Sequence, residues 1–334
     1  MTISLLFGCC QIETCVQDLA AARDYMRDLL GAAPVEQELA RQIAALLPGS
    51  GYDVDHLECG GAVFQVNQPG RGTEFNGQKS IHQTYLDERG ACVTNLNYYV
   101  DDITAARRLL TELGAPVHIE GPSTVAAVLG DYGPDNTRPG GNHRPFLFMG
   151  TRHLIGFDLE IMEPNFWRLS DQSAQFPAFI DPRPADTGAL RLHRLVAVVK
   201  ELGATWDAIE TVFAPGSRSK PYAPAATTAG RSFRIGLGGM EIEYCEPASA
   251  SGPVAAHLSE HGPGIATAVF GCPATRARMP HHAEWQAYDD AADGVVTGNG
   301  SPEPQVVALC REQIGFDVVL EAPETGAGGA PLRP

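Results

Sequence analysis

The sequence predicts an α+β protein built from four copies of a β-α-β-β-β unit, and three observations carry that prediction. First, a hydrophobic strand runs four times into a proline: VFQVNQP (Val63 to Pro69), FDLEIMEP (Phe157 to Pro164), MEIEYCEP (Met240 to Pro247) and FDVVLEAP (Phe316 to Pro323). Proline cannot donate to a sheet ladder, so it ends each strand. The prolines lie roughly 75–95 residues apart, longer than a solenoid repeat, so each unit is a small module in its own right. Second, two stretches read alike as an Asp-capped helix with a glycine stop. Third, Gly-Phe-Asp recurs at Gly156 to Asp158 and Gly315 to Asp317, entering the second and fourth closing strands.

The first unit opens on an apolar segment, Leu5 to Val16, followed by DLAAARDYMRDLLGAAPV from Asp18 to Val35. Asp18 suits an N-cap. Leu19, Ala22, Tyr25, Met26 and Leu29 recur at helical spacing, and Gly31 ends the helix. The second unit repeats this with the strand CVTNLNYYV (Cys92 to Val100) and the helix DITAARRLLTELGAPV (Asp102 to Val117). The third is looser, with a strand at LHRLVAVVKEL (Leu192 to Leu202) and a helix at TWDAIETVF (Thr205 to Phe213). The fourth starts at GIATAVFGC (Gly264 to Cys272), with no clear amphipathic helix after it. The expected organisation is an N-terminal domain over 1–165, a Pro- and Asp-rich linker over 166–189, a C-terminal domain over 190–324 and a disordered tail over 325–334. An insertion with seven Gly and Pro residues, GDYGPDNTRPGGNHRPF (Gly130 to Phe146), reads as a lid over a site.

Composition narrows the function. A net charge of −16 argues against nucleic acid, which needs clustered Lys and Arg. No apolar run approaches the roughly 18 residues of a membrane span, and the N-terminus lacks the basic start of a signal peptide. The expected location is the cytoplasm. The eight cysteines include no C-x-x-C pair, and those in apolar strands (Cys15, Cys92, Cys245) read as buried reduced thiols.

Units with this Asp-initiated helix and this E-x-x-x-P ending resemble the vicinal oxygen chelate superfamily, which includes glyoxalase I, methylmalonyl-CoA epimerase, extradiol dioxygenases and the bleomycin resistance proteins. The resemblance implies that units pair and their sheets curl, giving two cup-shaped mixed-sheet domains. It also implies where a divalent metal sits: on Gln11, Gln65, Asn95 and Glu160 in the N-terminal half, and on Arg194, Glu243, Thr267 and Val319 in the C-terminal half. Amide oxygens are weak ligands, and the first set has one carboxylate and no imidazole. The expected cofactor is therefore none, or a weakly held Mg²⁺ or Mn²⁺ touching Glu160 and Gln11. Arg194 and Glu243 suit an ion pair replacing a metal, or Arg194 suits a substrate carboxylate.

Strand alternation adds Cys9, Glu13 and Cys15 to the face of Gln11, Asn97 and Tyr99 to that of Asn95, Asn67 to that of Gln65, and Asp158 and Met162 to that of Glu160. Phe157, Leu159, Ile161, Phe64 and Val66 take the opposite face, under the helices. A polar wall inside a curved sheet is costly unless it meets water or ligand.

The leading function is a lyase or isomerase of the glyoxalase type acting on a small polar substrate. Glu160 is the expected general base, and Gln11, Gln65 and Asn95 stabilise the oxyanion. Glu13, Asn67, Asn97, Tyr99, His143 and Arg144 are the expected substrate contacts, with His143 and Arg144 on the lid. His82 and His56 read as solvated surface residues. The alternatives are a non-catalytic binding protein of the resistance kind and an extradiol-type dioxygenase, which needs two histidines and a glutamate on iron. The C-terminal half is open as a second site, a scaffold or the surface of a homodimer.

Overall fold

A computed structural model describes residues 2–5, 11–34, 53–70, 74–75, 78–120, 146–162, 190–214, 225–226, 230–271, 286–287 and 306–321. The first half runs β1 (Gln11–Cys15), α1 (Leu19–Leu30), β2 (Ala33–Pro34), β3 (Asp53–Cys59), β4 (Ala62–Gln68), a small hairpin of β5 (Glu74–Phe75) and β6 (Gln78–Lys79), and α2 (Ile81–Arg89). It continues with β7 (Cys92–Tyr99), α3 (Ile103–Glu112), β8 (Val117–Glu120), β9 (Phe146–Met149), α4 (Arg152–Ile155) and β10 (Asp158–Met162). The second half runs β11 (Arg191–Val198), α5 (Leu202–Phe213), β12 (Ala225–Ala226), β13 (Gly230–Leu237), β14 (Met240–Pro247), α6 (Pro253–His261), β15 (Gly264–Gly271), β16 (Gln286–Ala287), β17 (Val306–Ala308), α7 (Arg311–Ile314) and β18 (Asp317–Glu321).

The two halves form two eight-stranded mixed sheets of matching order, β2-β3-β4-β1-β7-β10-β9-β8 and β12-β13-β14-β11-β15-β18-β17-β16. In each unit the first strand pairs parallel with the last, as β1 with β4 and β7 with β10. Two units then join antiparallel through their first strands, β1 to β7 and β11 to β15. The four-unit α+β architecture expected from the repeated closing strands is the one observed.

Local chemistry explains the helices. Asp18 Oδ1 accepts from Ala21 N at 2.9 Å, and Asp102 Oδ1 from Ala105 N at 2.8 Å. Gly31 closes α1 in the left-handed region at φ 69°. Helix α5 begins three residues earlier than its sequence suggests. Its first N–H, on Leu202, is accepted by Glu246 Oε2 at 2.6 Å, from the end of the neighbouring closing strand. Gln68 Oε1 accepts from Leu19 N at 2.7 Å in the same way, so the cap comes from across the fold. The repeated Gly-Phe-Asp is a turn device. Gly156 and Gly315 take φ of 81° and 92° after the short α4 and α7. Asp158 and Asp317 then reach back to the first N–H of those helices, Arg152 N at 2.7 Å and Arg311 N at 3.2 Å.

The two faces of each sheet bury different things. Phe64, Val66, Phe157, Leu159 and Ile161 lie with Met26, Leu29 and Leu110 of the helices, as alternation requires. That core is continuous with Leu195, Tyr244, Phe270 and Phe316 of the second half, and Phe64 stacks on Phe316 at 5.4 Å. On the opposite faces lie the connector helices α2 and α6, each joining two units. Tyr85 and Leu86 of α2 pack on Cys15, Cys92 and Phe148. Val254 of α6, flanked by Leu258, packs on Val196, Val198, Val269, Val307 and Val319. The fourth unit's missing helix, the 166–189 linker and the tail lie outside the described residues. Among the described residues, Cys15, Cys59, Cys92, Cys245 and Cys310 are buried and outside any disulfide, and no helix is long and apolar enough to cross a membrane.

Candidate active site

Strand register brings Gln11, Glu13, Gln65, Asn67, Asn95, Asn97 and Glu160 together in the first sheet. Glu13 faces Gln65 on β4 and Asn95 on β7, and Asn97 faces Glu160 on β10. A bulge at Thr94 sets the pairing of β7 with β1, placing Cys92 opposite Cys15, their sulfurs 3.6 Å apart.

The centre of this cluster is Glu13, not Glu160. Glu13 Oε1 accepts from Gln65 Nε2 at 2.8 Å and Asn67 Nδ2 at 2.6 Å, and lies 2.9 Å from His82 Nε2. Its Oε2 accepts from Asn95 Nδ2 at 2.7 Å. Around it, Asn95 donates to Asn97 Oδ1 at 2.6 Å, Asn97 donates to Gln11 Oε1 at 2.6 Å, and Gln65 Oε1 lies 3.1 Å from His56 Nε2. Glu160 accepts weakly from Asn95 at 3.2 Å and shares a hydrogen bond with Glu13.

Two carboxyls in contact cannot both ionise freely, and their surroundings push them apart. Burial and the Glu13 charge raise the pKa of Glu160 well above an ordinary glutamate. Burial would raise Glu13 too, but the His82 charge and hydrogen bonds from His82 and Asn95 hold it below its usual range. Burial also drives His56 down to about 4, so its ring is neutral. Glu13 is therefore the ionised member and Glu160 the proton holder.

Access divides the cluster again. Glu13, Asn67, Asn95, Asn97, Gln11 and Tyr99 are buried, whereas Glu160, Gln65 and His56 are half-buried. The amides of Gln65 and Asn95, expected to hold an oxyanion, aim their N–H groups at Glu13 instead, because a resident carboxylate is the stronger acceptor. The surface reading of His82 also fails. His82 lies on α2, capped by Ser80 and stopped by Gly90, on the same face as Tyr85 and Leu86. The sequence SIHQTYLDERG carries that signal: a serine cap, apolar residues at helical spacing and a glycine stop. His56 belongs to β3. His143 and Arg144 lie outside the described residues, as does Cys9.

The same positions in the second sheet are occupied differently. Register makes Val196 the counterpart of Glu13, Val269 of Asn97, Val319 of Glu160 and Cys245 of Asn67. What remains polar there is an ion-pair network. Arg194 Nε lies 2.9 Å from Glu243 Oε2, and its two terminal nitrogens grip Glu321 at 2.7 and 2.5 Å. Arg234 and Ser232 complete Glu243 at 3.0 and 2.9 Å. The expected Arg194–Glu243 pair is present, with Glu321 as an additional partner.

A metal fits neither cup. A cation needs converging lone pairs, but in the first sheet N–H groups converge on an anion, and in the second an arginine occupies the centre. Among the described residues no three His, Cys, Asp or Glu side chains gather as a ligand set.

No protein-family model and no curated protein matches the sequence. Solved structures do resemble the fold. A variant of 4-hydroxymandelate synthase from Streptomyces coelicolor superposes with a TM-score of 0.57 at 14% identity, covering 97% of this chain and 94% of that one. A xylose isomerase-like TIM barrel/4-hydroxyphenylpyruvate dioxygenase fusion protein gives 0.52 at 14% identity, covering 98% of this chain and 51% of that one. Methylmalonyl-CoA epimerase from Mycobacterium tuberculosis matches 49% of this chain and 92% of that one at 23% identity, with a TM-score of 0.32. At these identities the first two likenesses are of fold: the chain shares its four-module, two-sheet architecture with those structures over nearly its whole length.

Proposed function

We propose that the first sheet houses a proton-transfer site acting next to a carbonyl, in a small-molecule lyase or isomerase, with Glu160 as the group that moves the proton. The carrying observation is the contrast between the two sheets: polar Glu13, Asn97 and Glu160 in one, Val196, Val269 and Val319 at the same positions in the other. A buried polar network is expensive to hold where valines serve the fold equally well. Its retention on one side supports a chemical use.

Glu160 is half-buried beside Glu13, and its raised pKa makes the ionised form a stronger base than an ordinary glutamate. It takes a proton from the carbon beside a substrate carbonyl and returns it to the same or the neighbouring carbon. Glu13 touches no substrate in this reading. It is a positioning residue, held ionised by His82 and setting the basicity of Glu160 through charge. The sequence leaves a choice between no cofactor and a weakly held Mg²⁺ or Mn²⁺; the amide N–H groups pointing at Glu13 favour the first. Iron chemistry of the dioxygenase kind lacks two histidines at the positions the family resemblance implies, which are Gln11, Gln65, Asn95 and Glu160.

The test is deuterium exchange. The protein is incubated in D₂O with 2-oxo acids, hydroxy ketones and thioesters, and exchange beside the carbonyl is followed by proton NMR. Exchange should appear with at least one class, rise with pH as Glu160 ionises, and vanish in Glu160→Gln. Iron(II)-dependent oxygen uptake without exchange would overturn this reading. Tight binding without exchange would favour the non-catalytic alternative.

A further inference from the structure

A cavity of about 560 Å³ is lined by residues of both halves of the chain and by none of the cluster around Glu13. Its lining includes Tyr85 and Arg89 of α2, His118, Arg152 and Asp158 from the first half, and Lys200, Glu201 and the start of α5 from the second. That volume suits a small organic molecule.

The charges on its walls are unevenly matched. Arg152 is fully engaged: Nε lies 3.3 Å from Asp158, and Nη2 donates to the carbonyls of Val93 and Thr94 at 2.8 and 2.7 Å. Asp158 also accepts from the Tyr85 hydroxyl and from Arg152 N. Arg89 is different. Its Nη1 donates to the carbonyl of His261, its Nε is buried without a hydrogen bond, and no carboxylate among the described residues pairs with it. Lys200 also lines the cavity, is exposed, and has no carboxylate partner among the described residues. The acids of the lining are Glu201, also exposed, and Asp158, which is engaged by Arg152 and Tyr85. In a chain of net charge −16, two cations without carboxylate partners in the lining of one cavity stand against the general acidity. An oxyanion held by both gains charge-assisted bonds from each.

We propose that this cleft is a second ligand site, independent of the proton-transfer site, which takes a small molecule bearing a carboxylate or phosphate group on Arg89 and Lys200. Because Arg89 belongs to the first half and Lys200 to the second, the ligand ties the halves together and should raise the melting temperature.

The experiment is calorimetric titration of the full chain with succinate and, separately, with orthophosphate, at constant ionic strength set by chloride. Saturable binding of one of them is expected, weakened at least ten-fold in Arg89→Met and in Lys200→Met and unchanged in Glu160→Gln. The probe that binds names the oxyanion. Arg89 also holds the His261 carbonyl, so if Arg89→Met misfolds, the exposed Lys200→Met decides. The proposal is overturned if neither probe binds saturably, if binding survives in both cation variants, or if Glu160→Gln abolishes it, which would place the anion among the strands.

Discussion

Replacing the two touching carboxylates by amides, one at a time, should shift stability in opposite directions. Glu13→Gln keeps the shape but converts one acceptor oxygen into a donor. Oxygens on both sides already receive N–H groups, so the new NH₂ must face a donor in either orientation. Its cheapest placement, towards Asn95, orphans that amide and turns the contacts with Gln65, Asn67 and His82 from charged to neutral. Charged hydrogen bonds exceed neutral ones by about 1 kcal/mol each, and breaking a buried charge network costs roughly 3–5 kcal/mol. At about 2 °C per kcal/mol for a chain of this size, the melting temperature should drop by roughly 6–10 °C. Glu160→Gln should do the reverse. The folded pKa of Glu160 is raised, so its contribution is fully present below the unfolded value and is lost as pH rises through the folded one. An amide mimics the protonated form at every pH. Glu160→Gln should therefore melt at or above the parent at pH 8, with a flatter dependence of melting temperature on pH. Thermal melts of the three proteins between pH 5 and 9 decide this. Equal destabilisation by both variants at pH 8 would refute the division into one ionised and one protonated carboxyl.

Two further outcomes test the rest of the fold. Arg194→Met should cost about 3–5 kcal/mol in urea unfolding, because it strips the buried Glu243 and its neighbour Glu321 of their shared cation. It should leave deuterium exchange intact, and loss of exchange with stability preserved would return Arg194 to a substrate role. Gly315→Ala should cost roughly 2–4 kcal/mol, since φ is +92° and the added Cβ would lie 2.9 Å from the Cys92 backbone carbon. A neutral result in the same urea assay would show that the turn, and with it the packing of α7 on β7, relaxes freely.

Sequence by itself determined the repeat and most of its elements. Strand and helix periodicity is local, as are the Asp18 and Asp102 caps and the Gly-Phe-Asp turns. Period-two alternation also sorted residues correctly between the two faces, so the polar cluster of the first sheet was legible before any coordinates. The Arg194–Glu243 pair followed from two equivalent strand positions carrying opposite charges. Only the tertiary structure decided which member of the cluster lies at its centre. Glu13 and Glu160 are 147 positions apart in the chain, and nothing local distinguishes a carboxylate that receives four donors from one that receives a proton. His82 reaches Glu13 because α2 lies across the inner face of the sheet, and α5 starts early because Glu246 arrives from another strand. Hydrogen-bond partners and burial across long loops set pKa values, and these are properties of the assembled fold, not of any segment in it.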